Sequence, residues 1–487
     1  MAEPGVEHTE SCLQSALLCG CRNSMTFANT LTTASTGLDR SEPDAADYKN
    51  HVNPQWVRML DLLQMNARYD RCAGVELHTA DGRCILDFLS GYCVHNAGHN
   101  HPDVIAAIQD ELSRSGPAML QSHVPELAGT LAARLCRLAG GELNKAFFCS
   151  SGSEGVEAAI KFARVHTGRA GLLCAEGAFH GLTCGALSLM GDSFWTERFG
   201  PLLPETQAIP FGDIAALEAQ LASKRFAAFI VEPVQSEAGI RIPPADYLSQ
   251  AQNLCRRFGT LFVLDEVQTG MYRTGPFLAA HQFGAEADMV ILAKALSGGL
   301  IPVGAVLMTD AIYDSVYDSL RRAIVHTSTF GENALAMRAG LATLEVLEQE
   351  DLGSRAVEVG ARLRARLRDE LSGYEMVNEI RGVGLLSGIE FTAPKHLRLR
   401  IPFEAFRHIH EGMFGQVLVM RLFRDHGILT QVCGNSFMVL KVAPPLVVSE
   451  AQADVFVAAI RNVVDLAHSS PGFWGEALGL ARRAVNV

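Results

Sequence analysis

The sequence predicts an α/β protein built on a mostly parallel sheet, and three observations lead to that class. Two short apolar runs, LFVLD at 261–265 and DMVILAK at 288–294, each end in a charge, Asp265 and Lys294, and run on towards glycine-bearing turns. Apolar runs of four to six residues bounded this way read as strands buried on both faces, as in parallel sheets. A third stretch, KAFFCSSGSEGVEAAIKFARVHTG at 145–168, reads as strand, small-residue turn and helix. The length of 487 residues exceeds a single simple core and implies two or three lobes.

Taken in order, residues 1–45 are rich in Ser, Thr, Asn, Asp and Glu. They read as a flexible N-terminal extension, because an acidic start lacks the basic region of a signal peptide. VELHTADGRCILDFLSG alternates like a hairpin turning at Asp81-Gly82. A helix is expected from Pro102, with Asp103 facing its dipole. His95, His99 and His101 share a loop, but their spacing fits no helical ligand pair, so hydrogen bonding is expected and no metal centre. At 145–168, Ser151 followed by Glu154 fits a capping box, with Ala158, Ile160, Phe162 and Ala163 available to pack. The turn and helix start make an anion site, since unpaired N–H groups and the dipole point at the ligand. Neither GxGxxG nor GxxxxGK[ST] is present. Phe179 and His180 lie in a loop between Gly177 and Gly181, where a ring face is presented either to a flat ligand or to packing. RFAAFIVEPVQSEAG is a further strand that ends at Glu232, with Glu237 beyond it. Because ligands bind at the carboxyl ends of parallel strands, Asp265 and Lys294 read in two ways. They are either a buried ion pair or an acid and an amine that act on a carbonyl-bearing heterocycle.

Downstream, AMRAGLATLEVLEQE and GSRAVEVGARLRARLRDEL read as helices, the second with a solvated arginine face. VNEIRGVGLLSGIEF reads as two strands around Gly382 and Gly384. Residues 394–415, with His408, His410 and Phe414, read as an insertion that is either a surface loop or a wall of the substrate entrance. LFRDHGILTQ and FMVLKVAPPL read as a final strand region, and EAQADVFVAAIRNVVDLAH as a closing helix.

Composition excludes several classes. The net charge of −12 argues against nucleic acid as the main partner. No apolar run approaches the roughly 20 residues of a membrane helix. The 12 cysteines are scattered without a CxxC pair, as expected of reduced thiols in a cytoplasmic protein.

The segments SSGSEGVEAAIKFAR, AFHG, VEPVQSEAG, LFVLDEVQTG, LAKALSGGLIPVGAV and HTSTFGEN occur in that order. Together they resemble the class III aminotransferases that use pyridoxal 5′-phosphate (PLP), the group of ornithine, acetylornithine, diaminobutyrate and putrescine aminotransferases. The likeness runs from about residue 75 to about residue 466. It implies PLP-dependent transferase fold type I: a large domain with a mostly parallel seven-stranded sheet, plus a smaller α+β domain. The implied division is 46–110 for the N-terminal part of the small domain, 111–345 for the large PLP-binding domain, and 346–487 for the C-terminal small domain.

The resemblance also implies roles. Lys294 carries the Schiff base, and Asp265 faces the pyridine nitrogen. Gln268 bonds the phenolic oxygen, while Gly152 and Ser153 hold the phosphate. Phe179 stacks on the ring with His180 beside it, and Glu232 orients the ring side. Thr329 reaches the phosphate of a neighbouring subunit in a homodimer. Tyr92, Glu237 and Lys441 fall on the substrate side, where Glu237 matches the family's gate glutamate and is expected to pair with Lys441 in one half-reaction and release it in the other. Lys441 stands where many relatives carry an arginine, which keeps the charge but loses the two-pronged grip on a carboxylate. Leu182 stands where ornithine aminotransferases carry an arginine, and Tyr272 adds bulk near the cofactor loop. The implied reaction is ping-pong transamination through pyridoxamine phosphate. It moves an amino group between a terminal (ω) amine or aldehyde of a longer, partly apolar chain and a keto acid. An aminomutase or phospho-lyase on the same scaffold is the nearest alternative, and a nucleotide-binding protein or non-catalytic scaffold the more distant one. Asp265 and Lys294 are expected at opposite ends of one ring, not in contact.

Overall fold

Residues 45–120, 122–409 and 412–485 are described by the computed structural model. Two compact units emerge, 1–54 and 55–487. The described part of the first holds a helix, Ala45–His51, and residues 1–44 of the expected extension lie outside the described residues. Residues 55–487 hold the sheets and the site. A meander of β1 (Tyr69–Ala73), β2 (Glu76–Thr79) and β3 (Cys84–Asp87) comes first, and its second turn falls at Asp81-Gly82 as expected.

Seven strands then build the large sheet: β4 (Leu143–Cys149), β5 (Gly171–Ala175), β6 (Thr206–Ile209), β7 (Phe226–Val231), β8 (Leu261–Asp265), β9 (Met289–Leu292) and β10 (Gly304–Thr309). Their order is β4-β10-β9-β8-β7-β5-β6. The ladders from β9 through β8, β7 and β5 to β6 are parallel, and β10 runs antiparallel to both neighbours. Every residue of β5, β7, β8 and β9 is buried, which is why these strands are written as unbroken apolar runs. The helix Gly152–Thr167 covers one face, burying Ala158, Ile160, Phe162 and Ala163. The carboxyl ends of β4, β7, β8 and β9 open on one edge.

The remaining strands are β11 (Val377–Val383), β12 (Leu386–Phe391), β13 (Ile428–Leu429), β14 (Gln431–Cys433) and β15 (Ser436–Val442). A four-stranded sheet runs β11-β12-β15-β14, and β13 pairs in parallel with β3. Three expectations need correction here. LFRDH belongs to the helix Phe414–His426, whose apolar stripe was read as strand. The described residues of 394–415 do not form a surface loop. They hold the helix Leu397–Ile409 and the start of Phe414–His426, and Phe403 and Phe406 are buried. Phe403, Phe414 and Phe473 pack around Trp474 of the terminal helix Pro471–Val485, an element not expected from the sequence. His410 lies outside the described residues. Finally, the arginine face of Leu352–Leu371 is only partly solvated. Arg355 donates to the carbonyls of Leu446 and Val448, Arg364 to that of Gly384, and Arg368 to that of Ile380.

Candidate active site

A cavity of about 450 Å³ opens at the carboxyl edge of the large sheet. Gly152, Ser153, Phe179, His180, Glu232, Asp265, Gln268 and Lys294 all line it. Tyr92, Glu237, Lys441 and Thr329 do not.

Each wall follows from local structure. β4 ends in Ser150–Ser153, where the helix Gly152–Thr167 begins. Ser151 Oγ accepts from the Glu154 N–H, but Glu154 Oε2 accepts from Ser150 N, one residue earlier than the expected capping box. The first N–H groups of a helix have no intrahelical acceptor, so this corner offers Gly152 and Ser153 to an anion. The turn tolerates no added bulk at Gly181: φ is +117°, and a methyl there would lie 2.0 Å from Ser153 Oγ.

Asp265 closes β8, buried to 4% exposure. Its Oδ2 lies 2.8 Å from His180 Nδ1, and its Oδ1 accepts from Val267 N. Burial drives the His180 imidazolium down, but the bond and charge of Asp265 outweigh it, so the net displacement is upward. Lys294 follows β9 at φ +46°, a left-handed conformation that costs a non-glycine residue about 1–3 kcal/mol. Desolvation holds its ammonium below the usual lysine value, against the opposing pull of nearby anions. No ion pair joins Asp265 and Lys294 among the described residues. The carboxylate is engaged by His180, and the amine is left to the cavity.

Glu232 accepts from the N–H groups of Phe179 and Ser236, and burial pushes its carboxyl up to about 7. Gln268 donates to Glu237, while its buried Oε1 has no partner. Lys441, fully buried, donates to the same carboxylate, as does Gly434 N. Burial alone would raise the Glu237 carboxyl, but the Lys441 charge holds it at about 2, and Lys441 is raised in turn, burial notwithstanding. Tyr92, at φ +61°, places its ring 5.0 Å from Lys441 Nζ. Leu182 and Thr329 are exposed. Tyr272 packs against Phe277, away from the cavity.

The three loop histidines take structural partners. His99 meets Asp87 at 2.7 Å, His95 stacks on His99, and His101 caps the helix Pro102–Ser113. Elsewhere, Glu76, His78 and Cys84 bring ligand atoms within 4.8 Å of one another on the β2–β3 hairpin, outside the cavity. Two residues beyond the expected set belong to this region: Val267, which lines the cavity two residues past Asp265, and Glu266, buried at 1%. Period-two alternation after Asp265 was the available signal for Val267.

Fold and site define an α/β enzyme with an anion-binding helix start, a strand-end carboxylate and an amine around a ring-sized cavity. Residues 61–464 match the family described as Aminotransferase class-III, and the chain belongs to that family. It is 36% identical over 459 residues to "Aminotransferase PigE" of Serratia sp. (strain ATCC 39006), covering 88% of this chain. It spans 54%, about half, of that relative's length. The ornithine aminotransferase of Toxoplasma gondii ME49 superposes with a TM-score of 0.75 at 27% identity, covering 88% of this chain and 99% of that one. A thermostable (S)-enantioselective omega-transaminase from Thermomicrobium roseum gives 0.77 at 28%, covering 87% and 98%.

Class III aminotransferases use PLP, and the cavity fits it. A buried acceptor without a partner, Gln268 Oε1, belongs to a residue of the wall, an anion corner sits at one end, and Phe179 and Val267 offer apolar surfaces. Among the described residues no helix is long and apolar enough to cross a membrane.

Proposed function

We propose that this enzyme transfers an amino group from a terminal amine on a longer, partly apolar chain to a keto acid. PLP supplies, when bound, an aldehyde that holds the substrate nitrogen and a ring that draws electrons from the adjacent C–H bond. The protein's residues do the rest. Gly152 and Ser153 would hold the phosphate at the helix start. Phe179 and Val267 would flank the ring, and Asp265 would keep its nitrogen protonated, with His180 fixing the carboxylate. Glu232 would hold the loop of Phe179, to whose N–H it bonds. The Lys294 amine, shifted towards its neutral form, takes the proton from the substrate carbon at Nζ and returns it elsewhere.

The observation that carries the substrate reading is the buried Glu237–Lys441 pair. The cation best placed to grip a carboxylate is already neutralised, and Leu182 supplies no arginine in its stead. A donor with an uncharged far end suits such a site. The enzyme acts as a homodimer in this reading. Thr329 is exposed and absent from its own chain's cavity, and Leu320, Ile324 and Phe330 nearby are 97%, 80% and 61% exposed. In the test, ω-amines are added to yellow holoenzyme without keto acid. Loss of the cofactor's visible absorbance with one equivalent of aldehyde is expected, and borohydride should fix the cofactor to Lys294 beforehand. Steady release of phosphate or ammonia would replace this reading with a lyase.

A further inference from the structure

We propose that Trp195 and Phe179, with Tyr92 beside the Glu237–Lys441 pair, form an apolar subsite for the donor's carbon chain. Trp195 sets the preference for long, uncharged chains. This inference rests on the transaminase reading above and deepens it.

Trp195 stands one ring away from the cofactor cavity. Its indole meets Phe179 edge-on, with centroids 5.2 Å apart at 84°. The indole N–H donates to Asn435 Oδ1 at 2.6 Å. Asn435 in turn donates from its backbone to the Glu237 carbonyl and from Nδ2 to the Gly177 carbonyl. The ring is therefore pinned between the loop that carries Phe179 and the turn at 434–435. Gly434 is the spacer: a methyl there would lie 3.3 Å from Trp195 Cζ2 and 3.0 Å from Glu237 Oε2. One aromatic wall thus runs from Phe179 through Trp195 to the edge of the Glu237 carboxylate.

The charged groups along this wall satisfy one another. Glu237 takes donors from Lys441, Gln268 and Gly434, and the Trp195 N–H is used by Asn435. The surfaces left for a ligand are ring faces, with Tyr92 38% exposed. A second charge on the donor would find no free counter-charge among these groups. An alkyl or aryl chain needs only to displace water from aromatic surface, and the half-buried Trp195 ring, held by its N–H, is a rigid platform for that.

The test uses holoenzyme and two ligand series. Unreactive n-alkanols from butanol to octanol are titrated by calorimetry, and n-alkylamines of the same lengths are followed by loss of cofactor absorbance. Affinity for the alkanols is expected to rise about three- to fourfold per methylene in the unmodified enzyme, the value for full burial of each group. Trp195→Ala should flatten that dependence, Trp195→Phe should retain part of it, and Gly434→Ala should shift the preference to shorter chains. A flat series in the unmodified enzyme, or an unchanged slope in folded Trp195→Phe and Gly434→Ala, overturns the subsite. Should the alkanols show the slope while no amine converts the cofactor, the transaminase reading falls and the subsite stands. Should amines convert without regard to length, the reverse holds.

Discussion

Glu237→Gln tests the charge arrangement of the substrate side most directly. The replacement keeps the shape and one acceptor but leaves Lys441, at 0% exposure, without a counter-charge. The Glu237 carboxyl is held at about 2 against an ordinary 4.5. At about 1.4 kcal/mol per pH unit, that difference corresponds to about 3 kcal/mol of preference for the charged form. This agrees with the usual 3–5 kcal/mol cost of breaking a buried pair from one side. Unfolding 487 residues at about 2.1 cal/mol/K each gives an entropy near 1 kcal/mol/K, so the melting midpoint should fall by about 3 °C. The double variant Glu237→Gln/Lys441→Met removes the stranded ammonium and should recover most of the loss. The sign with pH follows from the lowered carboxyl. The pair's contribution is complete above about pH 4.5 and fades as pH falls towards 2, so the gap between enzyme and variant should narrow in acid. Differential scanning calorimetry on holoenzyme measures all three. A single variant melting within about 1 °C of the parent, or a double variant no better than the single, refutes the claim that Lys441 depends on Glu237.

Three further outcomes are expected. Glu266, raised to about 7 by burial, contributes stability that is complete below about pH 4.5 and lost as pH rises through 7. Glu266→Gln should therefore shrink the fall in melting temperature between pH 5 and 8, and an unchanged slope would contradict it. Gly181→Ala forces a methyl against Ser153 Oγ, so cofactor retention after dialysis should drop about 10- to 100-fold, equivalent to about 1–3 kcal/mol. Retention equal to the parent would show that the turn yields freely. Sedimentation should give twice 52.6 kDa, 105.2 kDa. Thr329→Ala should keep that mass while weakening PLP binding about tenfold or more, the effect of one lost bond to a charged group. A monomer, or unchanged affinity, removes Thr329 from the neighbouring site.

The walls of the cavity were legible because they are written at strand ends. Asp265 and Lys294 each terminate an apolar run, and the Ser-Gly turn precedes a capped helix, so single segments announce single walls. What no segment announced was how the two charges are used. The structure shows that His180 occupies the Asp265 carboxylate while the Lys294 amine is left to the cavity, so the two do not form a buried ion pair with each other. The helices 397–409 and 471–485 escaped notice for a different reason. Pro402 interrupts the apolar period of the first, and the buried faces of both are completed by each other through Phe403 and Trp474, a pairing that no local pattern encodes. The substrate side suffers the same non-locality more severely. Tyr92, Trp195, Glu237 and Lys441 come from four separate stretches, and each alone is an ordinary residue of its own segment. The resemblance offers Glu237 as a gate that pairs with Lys441, but the burial of both groups and their contact are seen only in the fold. Trp195, next to Phe194 in the short helix Ser193–Thr196, gains meaning only from Phe179 on one side and Asn435, 240 residues away, on the other. On the proposed reading, specificity in this enzyme is a property of side chains that neutralise one another across the fold. Their joint effect is to present an uncharged surface where the sequence alone shows an acid and a base.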